Sequence, residues 1–350
     1  MVIDEIDTPA VLIDLDRAVA NIARAQAHAD AHGLKLRPHI KTHKLPMFAL
    51  KQMAAGAVGI TCQKVGEAEV MADAGLRDIF LPYNIIGAAK LARLLALHRR
   101  ITLSVTVDNL PTLAGLASVF TDPAHRLKVL VECDTGMGRC GVQSPETAVT
   151  LAQAIAAHPG LRFGGLMTYP AAGKAAEAET WLREASVRLT EAGLPCETIS
   201  SGGTPDMWRA GQGSVVTEYR PGTYIYLDRY QVAQDVGTLE DCALTVLTTV
   251  VSHPTDDRAI LDAGSKALTS DTLGMTGFGV LIGHPEALVS GLSEEHGTLA
   301  LHGAQLAIGD RVRVLPNHAC VVTNLFDNVY LISGDTVVEY LPVAARGRVG

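Results

Sequence analysis

Apolar positions along this chain alternate between two periods. Ala10-Val11-Leu12-Ile13 is an unbroken apolar run of strand length, and Val19, Ile22, Ala23 and Ala27 then recur at helical spacing, on a face expected to be buried, as far as Gly33. The pair predicts a strand over 10–14 and a helix over about 16–32, closed by the glycine. The alternation then repeats. Strand-like runs fall near 34–39, 58–62, 79–82, 101–107, 127–133, 163–168, 196–200 and 215–220. Amphipathic helical stretches lie between them, near 46–55, 66–74, 87–97, 109–118, 145–157 and 175–192, and the last interval holds only a turn near Asp206–Arg209. Strands that alternate with helices require parallel crossovers. Eight such strands after the first predict an α/β fold built on a (β/α)8 TIM-type barrel, with a doubly wound open sheet as the alternative.

After about Val232 the pattern changes. Cys242–Val251, Arg258–Asp262, Ala287–Leu292, Arg311–Leu315, Cys320–Thr323 and Val329–Val338 are short and β-rich, separated by turns such as Ser333-Gly334-Asp335. They predict a C-terminal, mostly antiparallel β domain. The expected division is a barrel over 15–232 and a β domain over 233–350. The strand within 1–14 is one too many for the barrel and a candidate member of the second domain. No internal repeat or low-complexity linker interrupts the pattern.

Composition narrows the partners. The chain has 350 residues, 48% hydrophobic and 19% charged, which is a globular balance long enough for a sizeable core. A net charge of -8 argues against nucleic acid or an anionic membrane as partner. Met1-Val2-Ile3-Asp4-Glu5 turns acidic at once, and the apolar runs are too short to span a bilayer. Six cysteines without a CxxC pair then read as reduced thiols of a cytoplasmic protein.

Candidate chemistry begins with Arg37-Pro38-His39-Ile40-Lys41-Thr42-His43-Lys44, placed where a strand hands over to a helix. A half-desolvated lysine beside another cation has a lowered amine pKa and forms Schiff bases readily; a solvated basic loop fits the same octapeptide. Two glycine-rich loops follow the seventh and eighth barrel strands, Ser200-Ser201-Gly202-Gly203-Thr204-Pro205 and Arg220-Pro221-Gly222-Thr223-Tyr224. Loops in those positions often hold phosphate on bare amides and hydroxyls, although each is also an adequate tight turn. A phosphate site with a reactive lysine in one barrel suggests pyridoxal 5'-phosphate. The loop Glu132-Cys133-Asp134-Thr135-Gly136-Met137-Gly138-Arg139 supplies an arginine that could face the phenolate oxygen, or is simply a turn. In Pro316-Asn317-His318-Ala319-Cys320, a strand would put His318 and Cys320 on one face, a pair suited to zinc and less well to manganese. The same pair fits a core cysteine beside a satisfied histidine. Glu294-Glu295-His296-Gly297 could be a second loop near it, or an ordinary polar turn.

Taken together, the motifs resemble the D-threonine aldolase / D-serine dehydratase family. The matching runs are Asp7-Thr8-Pro9-Ala10, 37–44, Cys62-Gln63-Lys64-Val65-Gly66-Glu67-Ala68, Asp134-Thr135-Gly136 with Arg139, Asp262-Ala263-Gly264-Ser265-Lys266, Glu295-His296-Gly297 and Pro316–Cys320, in order along the whole chain. The family is similar to alanine racemase in fold, and the resemblance implies a homodimer acting on small D-amino acids with a 3-hydroxyl, with a divalent metal (Zn2+ or Mn2+) on that hydroxyl. It further implies Lys41 as the Schiff-base lysine, Arg139 at the phenolate, and His39 and Gln63 near the ring. Ser201, Gly202, Gly203, Thr204, Gly222, Thr223 and Tyr224 would hold the phosphate, and His318 and Cys320 the metal.

Two features bear on the reaction. Aldolases of the family tend to carry His-x-Asp at the metal position and dehydratases His-x-Cys; this chain has the latter. Members usually place a histidine in the loop after the sixth barrel strand, which here reads Met167-Thr168-Tyr169-Pro170-Ala171-Ala172-Gly173-Lys174. Retro-aldol cleavage must take a proton from the 3-hydroxyl and so loses its obvious base, with Tyr169 or metal coordination as substitutes. Dehydration needs only α-deprotonation, which Lys41 can perform, and a metal-assisted loss of hydroxide. A dehydratase giving a 2-oxo acid and ammonia is therefore favoured, with an aldolase giving glycine and an aldehyde as the alternative. Arg220 aligns with the arginine facing the pyridine nitrogen in alanine racemases. No second-base tyrosine motif accompanies it, so racemisation ranks third, and a non-catalytic carrier of the cofactor after that.

Overall fold

The structure is a computed structural model that describes residues 1–211 and 214–350. Its elements run β1 Ala10–Asp14, α1 Leu15–Ala31, β2 Lys35–Leu36, α2 Pro46–Ala55, β3 Ile60–Thr61, α3 Val65–Asp73, β4 Asp78–Leu81, α4 Ala88–His98, β5 Thr102–Val107, α5 Leu110–Val119, β6 Leu127–Cys133, α6 Pro145–Ala156, β7 Leu161–Thr168, α7 Ala175–Glu191, β8 Thr198–Ser201 and β9 Glu218–Tyr219. Strands β2 to β9 form one parallel sheet in the order β2-β9-β8-β7-β6-β5-β4-β3. Its two edges meet at a parallel bridge between His39 and Thr61, where Thr61 N–H donates to Pro38 O (2.8 Å) and Ile40 N–H to Thr61 O (2.9 Å). The ring is thereby closed, as the eight alternations required. Near 34–39, 58–62 and 215–220 the ladders are only two residues long, because the chain there leaves the sheet early to build loops at the strand ends.

Local chemistry explains several boundaries. Asn109 and Ser144 cap α5 and α6 by accepting from Thr112 N–H and Thr147 N–H, each with proline in the first turn. Ala178, Leu182, Ala185 and Leu189 form the buried stripe of α7. Gly165 lies at a register shift against β6 with φ +124°, and a Cβ there would sit 1.9 Å from Thr198 O. Only glycine fits that approach.

The second half contains α8 Arg229–Ala233, β10 Leu244–Thr255, β11 Arg258–Leu261, α9 Ser265–Leu268, β12 Gly279–Leu281, β13 His284–Leu292, β14 Gly297–Ala300, β15 Arg311–Pro316, α10 Ala319–Leu325, β16 Asn328–Ser333 and β17 Thr336–Pro342. Nine strands form one sheet in the order β11-β14-β13-β12-β15-β10-β1-β16-β17, and β10 also pairs with β11. Register shifts in β10 at Val250 to Thr255 let it serve both neighbours, which closes six of the strands into a second, antiparallel barrel. β1 belongs to this sheet, antiparallel to β10 and parallel to β16, with Leu12 packed among Ile3, Ile6, Leu247 and Ile332. Here Thr8 Oγ1 donates to Asp262 Oδ2 (2.5 Å) and Thr248 Oγ1 to Asp262 Oδ1 (2.5 Å), so two of the sequence motifs form one hydrogen-bonded joint.

Two expectations for this half are corrected and two strands are added. Cys320–Thr323 is helix, not strand: Ala319, Val322 and Thr323 are its buried face, a helical spacing that the β-branched run disguised. Val329–Val338 is a hairpin, β16 and β17, turning at Ser333-Gly334-Asp335. β12 and β14 were not anticipated, being three and four residues long.

The chain forms two compact units. One comprises Met1–Ala23, Thr42–Leu45 and Thr223–Gly347; the other comprises Arg24–Lys41, Pro46–Gly222 and Arg348–Gly350. Among the described residues no helix is long and apolar enough to cross a membrane.

Candidate active site

In the parallel-barrel unit, the segment after β2 enters a turn at the C-terminal end of the sheet. Pro38, His39 and Ile40 are buried and Lys41 is half-buried. His39 Nδ1 accepts from Lys41 N–H (3.2 Å), so its Nε2 carries the proton and donates to Gln63 Oε1 at 3.0 Å. The Gln63 amide donates onward to Pro82 O (3.4 Å), while its backbone N–H is held by Glu67 Oε2 at 2.8 Å. Lys41 Nζ lies 5.8 Å from the Tyr169 ring centroid, and the Arg139 guanidinium lies 5.0 Å from the same centroid. One ring thus faces two cations that the sequence places 98 residues apart by its numbering.

The two glycine-rich loops meet in this unit. Thr204 Oγ1 accepts from Gly222 N–H (3.3 Å), and Tyr219 OH donates to Gly203 O (2.8 Å). Gly203 has φ +126°, and a Cβ on Gly202 would come within 2.8 Å of Arg220 O, so the loops approach as closely as bare backbone allows. Ser201 and Thr204 are buried beside them. This concave, side-chain-poor backbone with two hydroxyls fits a phosphate group.

Arg220 is buried, with Nε donating to Ser200 Oγ (2.8 Å) and an η-nitrogen to Thr168 O (2.6 Å). Ser200 Oγ donates to Glu218 Oε1 (2.7 Å), and Arg37 Nε to Glu218 Oε2 (2.7 Å). Burial lowers the Arg220 pKa to about 10, against the pull of Glu218 and Glu132, so the guanidinium stays charged at neutral pH. Glu132, at the end of β6, has its carboxyl pushed up to about 6 by burial, with Arg139 and Arg220 opposing. It is a functional candidate that sequence reasoning passed over, since nothing in Glu132-Cys133-Asp134 says which of the two acids points inward.

In the antiparallel unit, His318 is the N-cap of α10 and Cys320 lies in its first turn. The two residues expected to hold a metal therefore come together through a helix start rather than through strand alternation. Asp228 makes that start rigid: fully buried, it accepts from Ala319 N–H (3.0 Å) and from Gln231 N–H (3.0 Å). His318 Nδ1 hydrogen-bonds Asp271 Oδ2 at 2.7 Å. Burial works against the imidazolium, but Cys320, Asp271 and Asp228 outweigh it and raise the His318 pKa to about 9. Cys320 Sγ lies 3.1 Å from Thr42 Oγ1 and 3.4 Å from Thr223 Oγ1. Imidazole and thiol side by side fit a divalent cation, with the remaining positions left to water or substrate. Among the described residues no group of three or more His, Cys, Asp or Glu side chains is arranged to hold a metal. Glu294 and Glu295 do not supply a third ligand: both are exposed and paired with Lys266 at 3.0 and 2.6 Å, so that loop is an ordinary polar turn. Tyr224 is buried in the same unit, next to the half-buried Thr223. Asp271, Asp228 and Thr42 were invisible as site residues in the sequence, because no spacing connects them to His318 or Cys320.

Comparison with known proteins decides the family. Residues 13–230 match the alanine racemase N-terminal domain, and residues 243–332 match the putative serine dehydratase domain. A D-threonine aldolase from Arthrobacter sp. is 36% identical, aligned over 98% of this chain and 93% of that one. The chain belongs to the D-threonine aldolase / D-serine dehydratase family. It is a pyridoxal-phosphate-dependent lyase of the alanine racemase-like fold. A D-threo-3-hydroxyaspartate dehydratase from Delftia sp. is 35% identical over 95% of this chain and 96% of that one. The crystal structure of D-threonine aldolase from Filomicrobium marinum superposes with a TM-score of 0.91 at 34% identity, covering 99% of this chain and 97% of that one. A cysteine-to-alanine variant of D-threo-3-hydroxyaspartate dehydratase, in the metal-free form, superposes at 0.88 with 32% identity and 98% coverage of each chain. Aldolases and dehydratases thus stand at nearly equal distance, and the family alone leaves open which bond is broken.

Proposed function

We propose that this lyase dehydrates a D-3-hydroxy-amino acid of the D-threonine or D-serine type, giving a 2-oxo acid and ammonia with a divalent cation, Zn2+ or Mn2+, as helper. When bound, pyridoxal phosphate supplies the electron sink for the α-carbon and the cation supplies a Lewis acid for the 3-hydroxyl. Lys41 would anchor the cofactor through Nζ and, once displaced by the substrate amine, take the α-proton on that nitrogen. Ser201, Gly202, Gly203, Thr204, Gly222, Thr223 and Tyr224 would receive the phosphate. Arg139 would meet the phenolate, Arg220 the pyridine nitrogen, and the His39–Gln63 pair would lie near the ring. His318 and Cys320 would hold the cation.

The observation that carries the choice of reaction is the loop after β7. Its side chain over Lys41 and Arg139 is Tyr169, and Met167–Lys174 contains no imidazole to strip a proton from the 3-hydroxyl. Elimination needs no such base, because the oxygen leaves as hydroxide and is protonated to water. The cysteine at position 320 supports the same reading, since in this family dehydratases tend to carry His-x-Cys. Retro-aldol cleavage is the second reading, favoured by the 36% identity to a D-threonine aldolase and by the nearness of Tyr169 to Lys41.

Product analysis separates them. The purified protein is incubated with D-threonine, pyridoxal phosphate and Zn2+ or Mn2+. A 2-oxo acid with stoichiometric ammonia supports dehydration; glycine with acetaldehyde overturns it.

A further inference from the structure

His318 can meet a cation through only one ring nitrogen at a time, and the structure assigns which. Its Nδ1 lies 2.7 Å from Asp271 Oδ2, a carboxylate that can only accept, so Nδ1 keeps its proton and Nε2 is the nitrogen that gives up its proton and offers its lone pair to a cation. The other oxygen, Oδ1, accepts from Leu273 N–H at 3.2 Å, which stops the carboxylate from swinging away.

The loop that carries Asp271 is in turn fastened to the residue before His318. Asn317 is 1% exposed; its Nδ2 donates to Gly277 O (2.8 Å) and Thr272 O (3.3 Å), while its Oδ1 accepts from Arg229 Nη1 (3.1 Å). The same Arg229 nitrogen donates to Thr276 O at 2.6 Å. On the other side of His318, Asp228 holds Ala319 N–H. The imidazole, its carboxylate partner and the loop between them are therefore one fastened assembly.

We infer that Asp271 is the positioning residue of the metal site: it sets the His318 tautomer and ring angle so that Nε2 points its lone pair at the cation. Carboxylates that hold the far nitrogen of a metal-bound histidine contribute on the order of 10–100-fold in metal affinity. The inference rests on the proposal that His318 and Cys320 hold the cation. The test is built so that the two fail separately.

Zn2+ affinity is measured by competition with a chromophoric chelator on the full-length, cofactor-loaded protein. The proteins compared are wild type, Asp271→Ala, Asp271→Asn and His318→Ala. In parallel, Co2+ titrations follow the thiolate-to-metal absorption band contributed by Cys320. Asp271→Ala is expected to weaken Zn2+ binding about 10–100-fold, leaving the cofactor absorbance and the position of the Co2+ band unchanged. Asp271→Asn is expected to recover part of the loss, because its amide oxygen still accepts from Nδ1–H. If Asp271→Ala does not fold, the Asp271→Asn comparison still reads the lost charge. Wild-type affinity in both Asp271 variants, with loss of binding in His318→Ala, overturns the role of Asp271 while the metal site stands. Equal affinity in wild type and His318→Ala overturns the metal site and this inference together.

Discussion

The hydroxyl oxygen of Thr42 lies 3.1 Å from the sulfur of Cys320. Thr42 follows Lys41 directly, and Thr223, at 3.4 Å from the same sulfur, follows Gly222 of the glycine-rich loop. Each threonine carries a single hydroxyl proton, and a metal-bound thiolate is an acceptor for both. A hydrogen bond to a charged acceptor is worth about 1.5–3 kcal/mol. Thr42→Val is therefore expected to weaken Zn2+ binding by roughly 10-fold or more, since 1.4 kcal/mol corresponds to tenfold. Chelator competition reads the effect, and an unchanged affinity would show that the sulfur does not depend on this hydroxyl.

Removing the amine of Lys41 tests the cofactor assignment. Lys41→Ala should abolish the absorbance of lysine-bound pyridoxal phosphate and lower turnover on the order of 10²–10⁴-fold, the span of a lost general base. A normal cofactor spectrum in this variant would sink the whole site.

Tyr169 separates ring from hydroxyl. The ring faces Lys41 at 5.8 Å and Arg139 at 5.0 Å, contacts worth about 0.5–1 kcal/mol each where exposed. Tyr169→Phe keeps both contacts, so 2-oxo acid formation should stay within a few-fold of wild type, while Tyr169→Ala should raise KM for the cofactor. If Tyr169→Phe instead loses nearly all activity and the product is glycine, the hydroxyl is the base of an aldolase.

The metal site should be tuned by pH. With Cys320, Asp271 and Asp228 around it, His318 titrates at about 9 in the metal-free fold against an ordinary value of 6.5. Because the folded value is raised, the protonated imidazolium stabilises the metal-free protein fully below about pH 6.5, and that contribution is lost as pH rises through 9. A cation must displace the Nε2 proton, so Zn2+ affinity should climb with pH up to about 9 and then level off. Denaturation midpoints of the metal-free protein and chelator competition between pH 6 and 10 check both slopes. A flat affinity profile would contradict the titration.

The barrel was legible because its signal is local and repeated. Stripes such as Ala178, Leu182, Ala185 and Leu189, and apolar runs such as Leu127–Cys133, mark their elements through period. In α1 the period gave the helix but not its inner face, since of Val19, Ile22, Ala23 and Ala27 only Ile22 is buried, beside Ala18, Ala25 and Ala29. The Cys320–Thr323 segment misled for the same reason: Val321, Val322 and Thr323 favour strand. The start of this helix is held by Asp228, a carboxylate 91 positions away that accepts from the Ala319 amide, a contact that no local propensity records.

By itself, the sequence determined the alternating αβ architecture, the β-rich second half, and the order of the Lys41, Arg139, glycine-loop and His318-x-Cys320 motifs. Those follow from spacing between near neighbours, which a linear chain states directly. The sequence already offered β1 to the second sheet, and the structure places it there; tertiary structure alone decided that Tyr169 faces both Lys41 and Arg139, and that Asp271 grips His318 from 47 residues away. Such pairings are set by which elements a closed sheet and a buried loop bring together. No period or propensity in the intervening residues records that outcome.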